Sequence, residues 1–202
     1  MSTAIEMENE IEMDLTTEAE PQKRRFTVEE FQRMGEAGII APDERVELID
    51  GEIIQMTPIG PRHMEAVFAL EDYLRPIVGP EVRISIQMPV QLPASQPHPD
   101  LTLFPHNARR SGELPSPSAC LLVVEVGDST VDFDRKNKRL DYAQAGIAEY
   151  WVLDLPKQVV VVHLEPGSGD YRNVAEYPRG AAFHSPALRG REVRVEEVLG
   201  PA

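Results

Sequence analysis

Two acidic residues stand where the sequence otherwise predicts buried strands. Glu125 falls inside the run LLVVEV, residues 121–126, and Asp100 precedes the apolar run LTLF, residues 101–104. A buried carboxylate needs a cation, a hydrogen-bond donor or a raised pKa, because burial without a partner is costly. Polar residues near strand ends in open α/β sheets often line a site. Two such carboxylates could together bind Mg²⁺ or Mn²⁺, which prefer oxygen ligands.

Each acidic residue also has an ordinary structural interpretation. Glu125 could form a structural salt bridge or cap the next helix, and the pattern alone does not decide between this and a site. Asp100 follows a proline and on its own is better read as a turn aspartate. The separation of 25 residues permits neighbouring strands but does not require them.

A predicted helix downstream carries a lysine. Residues 133–146, FDRKNKRLDYAQAG, predict a helix that Gly146 terminates. Asp134, Lys138 and Tyr142 are each four residues apart and share one face of it. If this face turned toward the two acids, Lys138 could hold a phosphate or polarise an attacking water. Otherwise Asp134 and Lys138 form an exposed ion pair worth roughly a few tenths of a kcal/mol.

The surrounding segments predict an α/β fold. The run ACLLVVEV is apolar on both faces, as in a central strand of a covered sheet. Strands alternate with helices along the chain, which is the pattern of α/β domains. The segments are a helix in RRFTVEEFQRM capped by Thr27 and Glu30, a hairpin in RVELIDGEIIQM with its turn at Asp50-Gly51, a helix in HMEAVFALEDYL, strands in EVRISIQMPVQL and DLTLF, a second hairpin in EYWVLDL and QVVVVHL, and edge strands after residue 170.

Two further polar residues have weak patterns. On pattern alone Glu47 is an exposed residue of the first hairpin, and His63 is a cap or packing residue at a helix start.

The sequence has no HExxH or CxxC motif and no glycine-rich phosphate loop, so zinc and nucleotide sites of those kinds have no support.

The charge of the chain is unevenly distributed. Its formal net charge is −14, and residues 1–22 contain seven acids and no base. The remainder has 27 acids against 20 bases, a net of −7, which weighs against strong non-specific binding of nucleic acid. We expect residues 1–22 to be a disordered acidic tail and residues 23–202 to form a single domain.

The cysteine content and hydropathy indicate a cytoplasmic protein. Cys120 is the single cysteine, and its apolar surroundings predict a small core residue in a reducing compartment. No stretch approaches the roughly 18 to 20 apolar residues of a membrane span, and no secretory signal is evident.

Several motifs, in order and spacing, resemble the Uma-two family, described as putative restriction endonucleases with a PD-(D/E)XK nuclease-like fold. The motifs are VELIDGEIIQMTP, His63, QMPVQL, HPDLTLF, VVEVGDST and DRKNKRLDYAQAGIAEYWVLD, within roughly residues 26–165. The resemblance implies a restriction-endonuclease-like mixed sheet flanked by helices, with an N-terminal helix and hairpin. It also implies a metal-dependent endonuclease that uses Mg²⁺ or Mn²⁺ to hydrolyse DNA.

The resemblance assigns roles to particular residues. Asp100 and Glu125 would bind the metal, and Glu47 would complete its coordination. The standard motif has a lysine two residues after the second acid, where this chain has Gly127. The lysine is instead implied to come from the next helix, as Lys138. The residues implied to support the site or contact a phosphate are His63, Gln87 and Tyr142.

Two functions remain open from the sequence. The first is a DNA endonuclease, which predicts a basic rim around the acids and a homodimer, because cutting both strands requires two active sites. The second is a non-catalytic binding or assembly module of the same fold, with these charges scattered. The candidates for the rim are Arg109, Arg110, Arg135 and Arg139.

Overall fold

The N-terminal segment folds into a capped helix, as its sequence predicts. The computed structural model describes residues 23–108, 116–128 and 138–201. Helix α1 (Val28–Glu36) begins with a capping box, in which Glu30 N donates to Thr27 Oγ1 and Thr27 N donates to the Glu30 carboxylate. These bonds satisfy amides that a helix start leaves without intrahelical partners.

A hairpin follows this helix, again as predicted. Strands β1 (Val46–Ile49) and β2 (Glu52–Gln55) pair antiparallel. Asp50 and Gly51 join them with φ angles of 47° and 73°, the left-handed conformations of a tight primed turn. Helix α2 (Pro61–Val78) comes next in the chain.

The main sheet has six strands with mixed pairing. Its strands are β3 (Val82–Ile86), β4 (Leu101–Pro105), β5 (Leu122–Gly127), β6 (Glu149–Asp154), β7 (Val159–Pro166) and β8 (Tyr171–Pro178). They lie side by side in that order. Strands β5 and β6 run parallel, and each other adjacent pair in this sheet is antiparallel. A parallel pair needs a crossover connection, and helix α3 (Arg139–Gln144) lies within it.

Strand β5 occupies the central position that its apolar sequence predicts. It pairs with β4 on one side and β6 on the other, and all six of its residues are buried. The sheet with its flanking helices confirms the mixed α/β fold predicted from the sequence.

One face of the sheet is covered by α2 and by C-terminal elements. These elements are β9 (Ala182–Ser185), β10 (Arg191–Arg194) and helix α4 (Val195–Leu199). Leu70 and Leu74 of α2 and Val198 of α4 belong to the same buried cluster as Val124 and Trp151 of the sheet. The tail was predicted to add edge strands, and β8 is one. However, β9 and β10 pair with each other in a separate hairpin, and α4 was not predicted.

The other face is covered by α3 and by a segment that precedes β4. Val90, Tyr142 and Ile147 belong to a second buried cluster that includes Val123 and Tyr150 of the sheet. The predicted helix at 133–146 is described from residue 138 onward, so Asp134 lies outside the described residues.

Two smaller predictions are also borne out. Gly146 follows α3 with a φ of 77°, which suits its role as a helix terminator. Cys120 is buried in the second cluster, and burial raises the pKa of its thiol to about 11, as fits a core residue. None of the helices described in the three ranges is long and apolar enough to cross a bilayer.

Candidate active site

Asp100 lies immediately before β4, and its carboxylate contacts groups from three other parts of the chain. Its Oδ2 accepts a hydrogen bond of 2.8 Å from the backbone amide of Val126 on β5. Its Oδ1 lies 2.8 Å from His63 Nε2 on α2 and 3.4 Å from Gln87 Nε2. These contacts place the carboxylate next to the end of β5, one residue beyond Glu125.

Glu125 is buried within β5 together with polar partners. Side chains of alternate residues share a face of a sheet, so Glu125 lies with Val123 on the face that α3 covers. Its Oε1 accepts a hydrogen bond of 2.7 Å from the Tyr142 hydroxyl and one of 3.1 Å from Lys138 Nζ. A cation and a neutral donor therefore accompany the carboxylate, which accounts for its presence in an apolar strand.

Tyr142 serves as a hydroxyl donor at the base of this group. The residue is fully buried on α3. Burial, and then the negative charge of Glu125, raise the pKa of its phenol well above the usual value of 10. The phenol therefore stays protonated and donates to Glu125 across the physiological pH range.

Lys138 lies between two carboxylates. The residue is 1% exposed, and its Nζ lies 3.0 Å from Glu47 Oε2 and 3.1 Å from Glu125 Oε1. A buried ammonium group is tolerated only with charged or strongly polar partners, and these two acids provide them. The exposed ion pair with Asp134 that the sequence allowed as an alternative does not describe a lysine buried in this way.

The interpretation of Glu47 as an exposed strand residue is wrong, since the residue is fully buried. One face of β1 packs against α1, and segment 94–98 runs along its edge. Gln96 N donates to Leu48 O at 2.7 Å, and His98 N donates to Glu47 Oε1 at 2.7 Å. The alternation of a four-residue strand could not reveal this burial, because the covering residues are distant in the sequence.

His63 and Gln87 both support Asp100. His63 lies in the first turn of α2, where the sequence alone suggested a cap or packing residue, and its ring contacts the Asp100 carboxylate. Gln87 has a φ of 49°, which is uncommon for a residue other than glycine. Its backbone amide also donates to Asp100 O at 3.3 Å.

An open cleft of about 380 Å³ gives access to this group. Five of the predicted site residues line it: His63, Gln87, Asp100, Glu125 and Lys138. Glu47 and Tyr142 do not line it, since both are fully buried behind the residues that they contact. Among the predicted site residues, the cleft therefore presents the carboxylates of Asp100 and Glu125 and the ammonium group of Lys138, with the Glu47 carboxylate behind them. Two further acids, Glu44 and Asp128, also line the cleft.

The sequence did not predict four polar residues of the cleft, which are Glu44, Arg45, His98 and Asp128. His98 immediately precedes Pro99 and Asp100, and Arg45 immediately precedes β1. Burial lowers the pKa of His98, the nearby charges of Lys138 and Arg45 lower it further, and Glu47 opposes them. The proximity of His98 and Arg45 to predicted site residues in the sequence was the one signal that could have identified them.

Most residues of the predicted basic rim lie outside the part of the chain that the structure describes. Arg109, Arg110 and Arg135 lie outside the described residues, as does Lys136, the neighbour of Lys138. Arg139 does not line the cleft and instead pairs with Asp170 at 2.9 Å. Arg45 is the arginine that the described cleft wall does contain.

The side chains that line the cleft meet some of the requirements of a site for Mg²⁺ or Mn²⁺. Among the described residues, no three histidine, cysteine or acidic side chains are arranged to hold a metal. Mg²⁺, however, usually keeps several waters and needs only one or two carboxylates. Three acids, Asp100, Glu125 and Glu47, lie at this end of the cleft with one ammonium group, that of Lys138, so negative charge exceeds positive charge among these four groups. Asp100 and Glu125 are the two of these acids that reach the cleft.

Comparisons with known proteins agree with this fold. A search of curated proteins finds no match. A crystal structure of a putative nuclease belonging to DUF820 from Anabaena variabilis is similar, with a TM-score of 0.68 and 16% sequence identity over 86% of this chain and 97% of that one. The model of the Uma2 family, described as "Putative restriction endonuclease", matches residues 28–196. This match covers most of the chain, and the chain therefore belongs to the Uma2 family.

Proposed function

We propose that this protein is a metal-dependent endonuclease that hydrolyses phosphodiester bonds in DNA. Membership of a family described as "Putative restriction endonuclease" supports nuclease function. The observation that favours it most is the contact of 3.1 Å between Lys138 Nζ and Glu125 Oε1, in a cleft that Asp100 also lines. Two acids and a lysine are the groups that such a reaction needs.

Asp100 and Glu125 are the proposed ligands of Mg²⁺ or Mn²⁺. When bound, the ion would stabilise charge on the scissile phosphate and lower the pKa of a coordinated water. The amide of Val126 and the ring of His63 hold the Asp100 carboxylate in a fixed direction. Such support matters because a catalytic geometry must be held before the substrate arrives.

Lys138 is the proposed cationic group of the reaction. Its ammonium group would orient the attacking water or neutralise the charge that develops on the phosphate. Arg45, which is exposed on the cleft wall, is suited to contact a neighbouring phosphate of the backbone. We further propose that the active species is a homodimer, because cutting both strands of a duplex requires two such sites.

The alternative is a non-catalytic module of the same fold. The net charge of −14 favours it, since an acidic protein binds DNA weakly without local basic groups. In that case the buried ion pairs of Lys138 would be structural.

Plasmid nicking with Mn²⁺ or Mg²⁺ tests the nuclease function. We would compare the wild type with Asp100→Asn and Lys138→Met, and with the exposed controls Asp72→Asn and Lys23→Met, all purified in parallel. The nuclease predicts metal-dependent nicking that falls about 100-fold or more in the first two variants and is unchanged in the controls. Nicking that survives in Asp100→Asn and Lys138→Met would refute the assigned site. No nicking by any protein, on linear, supercoiled and single-stranded DNA, would favour the binding module.

A further inference from the structure

We propose that Glu47 is the anchor that positions Lys138, and that it is not a ligand of the metal. This inference deepens the proposed function and rests on it. The resemblance to the family implied instead that Glu47 completes the coordination of the metal. Its burial and its contacts favour a different role, which connects the N-terminal hairpin to the catalytic lysine.

The first reason is where Glu47 lies relative to the cleft. It is fully buried and does not line the cleft, whereas Asp100, Glu125 and Lys138 do. An ion that enters from the cleft would meet the last three residues first. Lys138 stands between Glu47 and Glu125, bonded to both.

The second reason is that both oxygens of Glu47 are directed to protein groups. Its Oε1 accepts a hydrogen bond of 2.7 Å from His98 N and one of 3.3 Å from Lys138 Nζ. Its Oε2 lies 3.0 Å from the same ammonium group, although without the alignment of a hydrogen bond. The amide of His98 thus fixes the carboxylate, and the carboxylate in turn fixes the ammonium group.

The third reason is the origin of the lysine. A lysine two residues after Glu125 would project from β5 on the same face as Glu125, and the strand itself would position it. This chain has Gly127 there, and Lys138 comes instead from the start of α3. A long flexible side chain from another element needs a second fixed partner, and Glu47 supplies it.

The hairpin is well suited to this task because it is tied to the segment that leads into Asp100. Leu48 O accepts from Gln96 N at 2.7 Å, and Ala94 O accepts from Gly51 N at 2.9 Å. Segment 94–98 therefore connects the hairpin, which carries Glu47, to Asp100.

The lysine content of the chain allows a direct test by NMR. The four lysines are Lys23, Lys136, Lys138 and Lys157, so selective ¹⁵N labelling of lysine side chains gives at most four ammonium signals. A buried ammonium held by two carboxylates exchanges its protons slowly and is observable at neutral pH. We expect one such signal in metal-free wild type, absent in Lys138→Arg, lost in Glu47→Gln and kept in Asp100→Asn.

Titration of the wild type with Mg²⁺ then separates the two roles of Glu47 without any variant. An anchor keeps its bond to Lys138 when the ion binds, so the signal should shift and remain. A metal ligand would release the ammonium group, and loss of the signal at saturation would overturn the inference.

The double variant Glu47→Gln/Lys138→Met provides a second measurement. It removes one negative and one positive charge, so the net charge of the site equals that of the wild type. If Glu47 is not a ligand, Mn²⁺ affinity measured by calorimetry should stay within about threefold of the wild type, while Asp100→Asn should lose about tenfold or more. A loss in the double variant as large as in Asp100→Asn would contradict the anchor. Wild type that binds no Mn²⁺ would contradict the proposed function alone, because the ammonium signal is measured in metal-free protein.

Discussion

The hydroxyl of Tyr142 can be removed from the site without changing the charge of any residue. Its removal is therefore a specific test of a single hydrogen bond. Tyr142→Phe should lower nicking about tenfold, because Glu125 loses a hydrogen bond of 2.7 Å that fixes its direction. Stability should fall by about 1.5 to 3 kcal/mol, the usual value for a hydrogen bond to a charged group. Both effects can be measured, by plasmid nicking and by urea unfolding.

Tyr171→Phe is the matched control for this variant. Tyr171 is also buried, and its hydroxyl donates to Ile147 O at 2.8 Å, away from the cleft. Loss of this hydroxyl should lower the free energy of unfolding by about 1 kcal/mol and leave nicking unchanged. Equal nicking by the two variants would show that the Tyr142 bond has only a structural role.

The site residues differ in how well the sequence could predict them. The carboxylate inside an apolar strand marked Glu125, because that combination requires a partner. The same reasoning failed for Glu47, whose burial depends on segment 94–98, far along the chain. The resemblance to a family identified Glu47, and neither approach identified Arg45 or His98 on the cleft wall.

At the scale of elements, the turn of the first hairpin should matter for activity, because this hairpin carries Glu47. Gly51 has a φ of 73°, and a Cβ there would lie 2.6 Å from Arg25 Cβ and 3.0 Å from Phe26 O. Gly51→Ala should therefore destabilise the protein by about 1 kcal/mol for the left-handed conformation and by a further 1 to 3 kcal/mol for the overlap. We also expect weaker nicking, since Glu47 would shift with the strand.

Gly38→Ala separates backbone strain from overlap. Gly38 has a similar φ of 70°, but a Cβ added there meets no atom within 4 Å. This variant should lose about 1 kcal/mol in urea unfolding and keep full nicking activity. Equal losses for the two variants would contradict the close approach of Arg25 to the turn.

A buried carboxylate that joins the C-terminal elements to the sheet should make stability depend on pH. Glu149 on β6 accepts hydrogen bonds of 2.7 Å from Trp151 Nε1 and from Ala187 N. Burial nevertheless raises the pKa of Glu149 above the usual value of 4.5. As pH rises from 4.5 through the folded pKa, the unfolded chain loses this proton first, so the contribution of Glu149 to the stability of the wild type decreases.

Glu149→Gln cannot lose this proton, so its stability relative to the wild type should increase as pH rises from 4 to 7. Thermal unfolding across this range measures the difference, with exposed Glu192→Gln as the control. A stability difference that is independent of pH, or that moves in the opposite direction, would show that Glu149 is not harder to ionise in the folded state.

Local signals predicted the elements themselves better than their arrangement. The capping box of Thr27 and the turn at Asp50-Gly51 are set by neighbouring residues, and both form as expected. The pairing of β9 with β10 and the packing of α4 on α2 depend on long-range contacts between weakly patterned segments. Neither could be read from the residues of these elements alone.

The net charge of the protein disfavours binding of the proposed DNA substrate. DNA is a polyanion, and the protein has a net charge of −14, of which residues 1–22 contribute −7. The cationic groups that the described cleft wall offers are few, with Arg45 and Lys138 among them. Binding at low salt should therefore be limited by repulsion between the acidic chain and the phosphates.

Removal of residues 1–22 should strengthen DNA binding, because it halves this net charge. We would measure the anisotropy of a labelled duplex with Asp100→Asn protein, so that no cutting interferes, at low and at physiological salt. Affinity should rise several-fold at low salt, and the gain should shrink as salt screens the charges.

A full-length chain whose seven N-terminal acids are changed to Asn or Gln separates charge from length. If it binds like the shortened chain, charge is the cause, whereas binding like the unchanged full-length chain would show that the acids in residues 1–22 do not control access of DNA to the cleft.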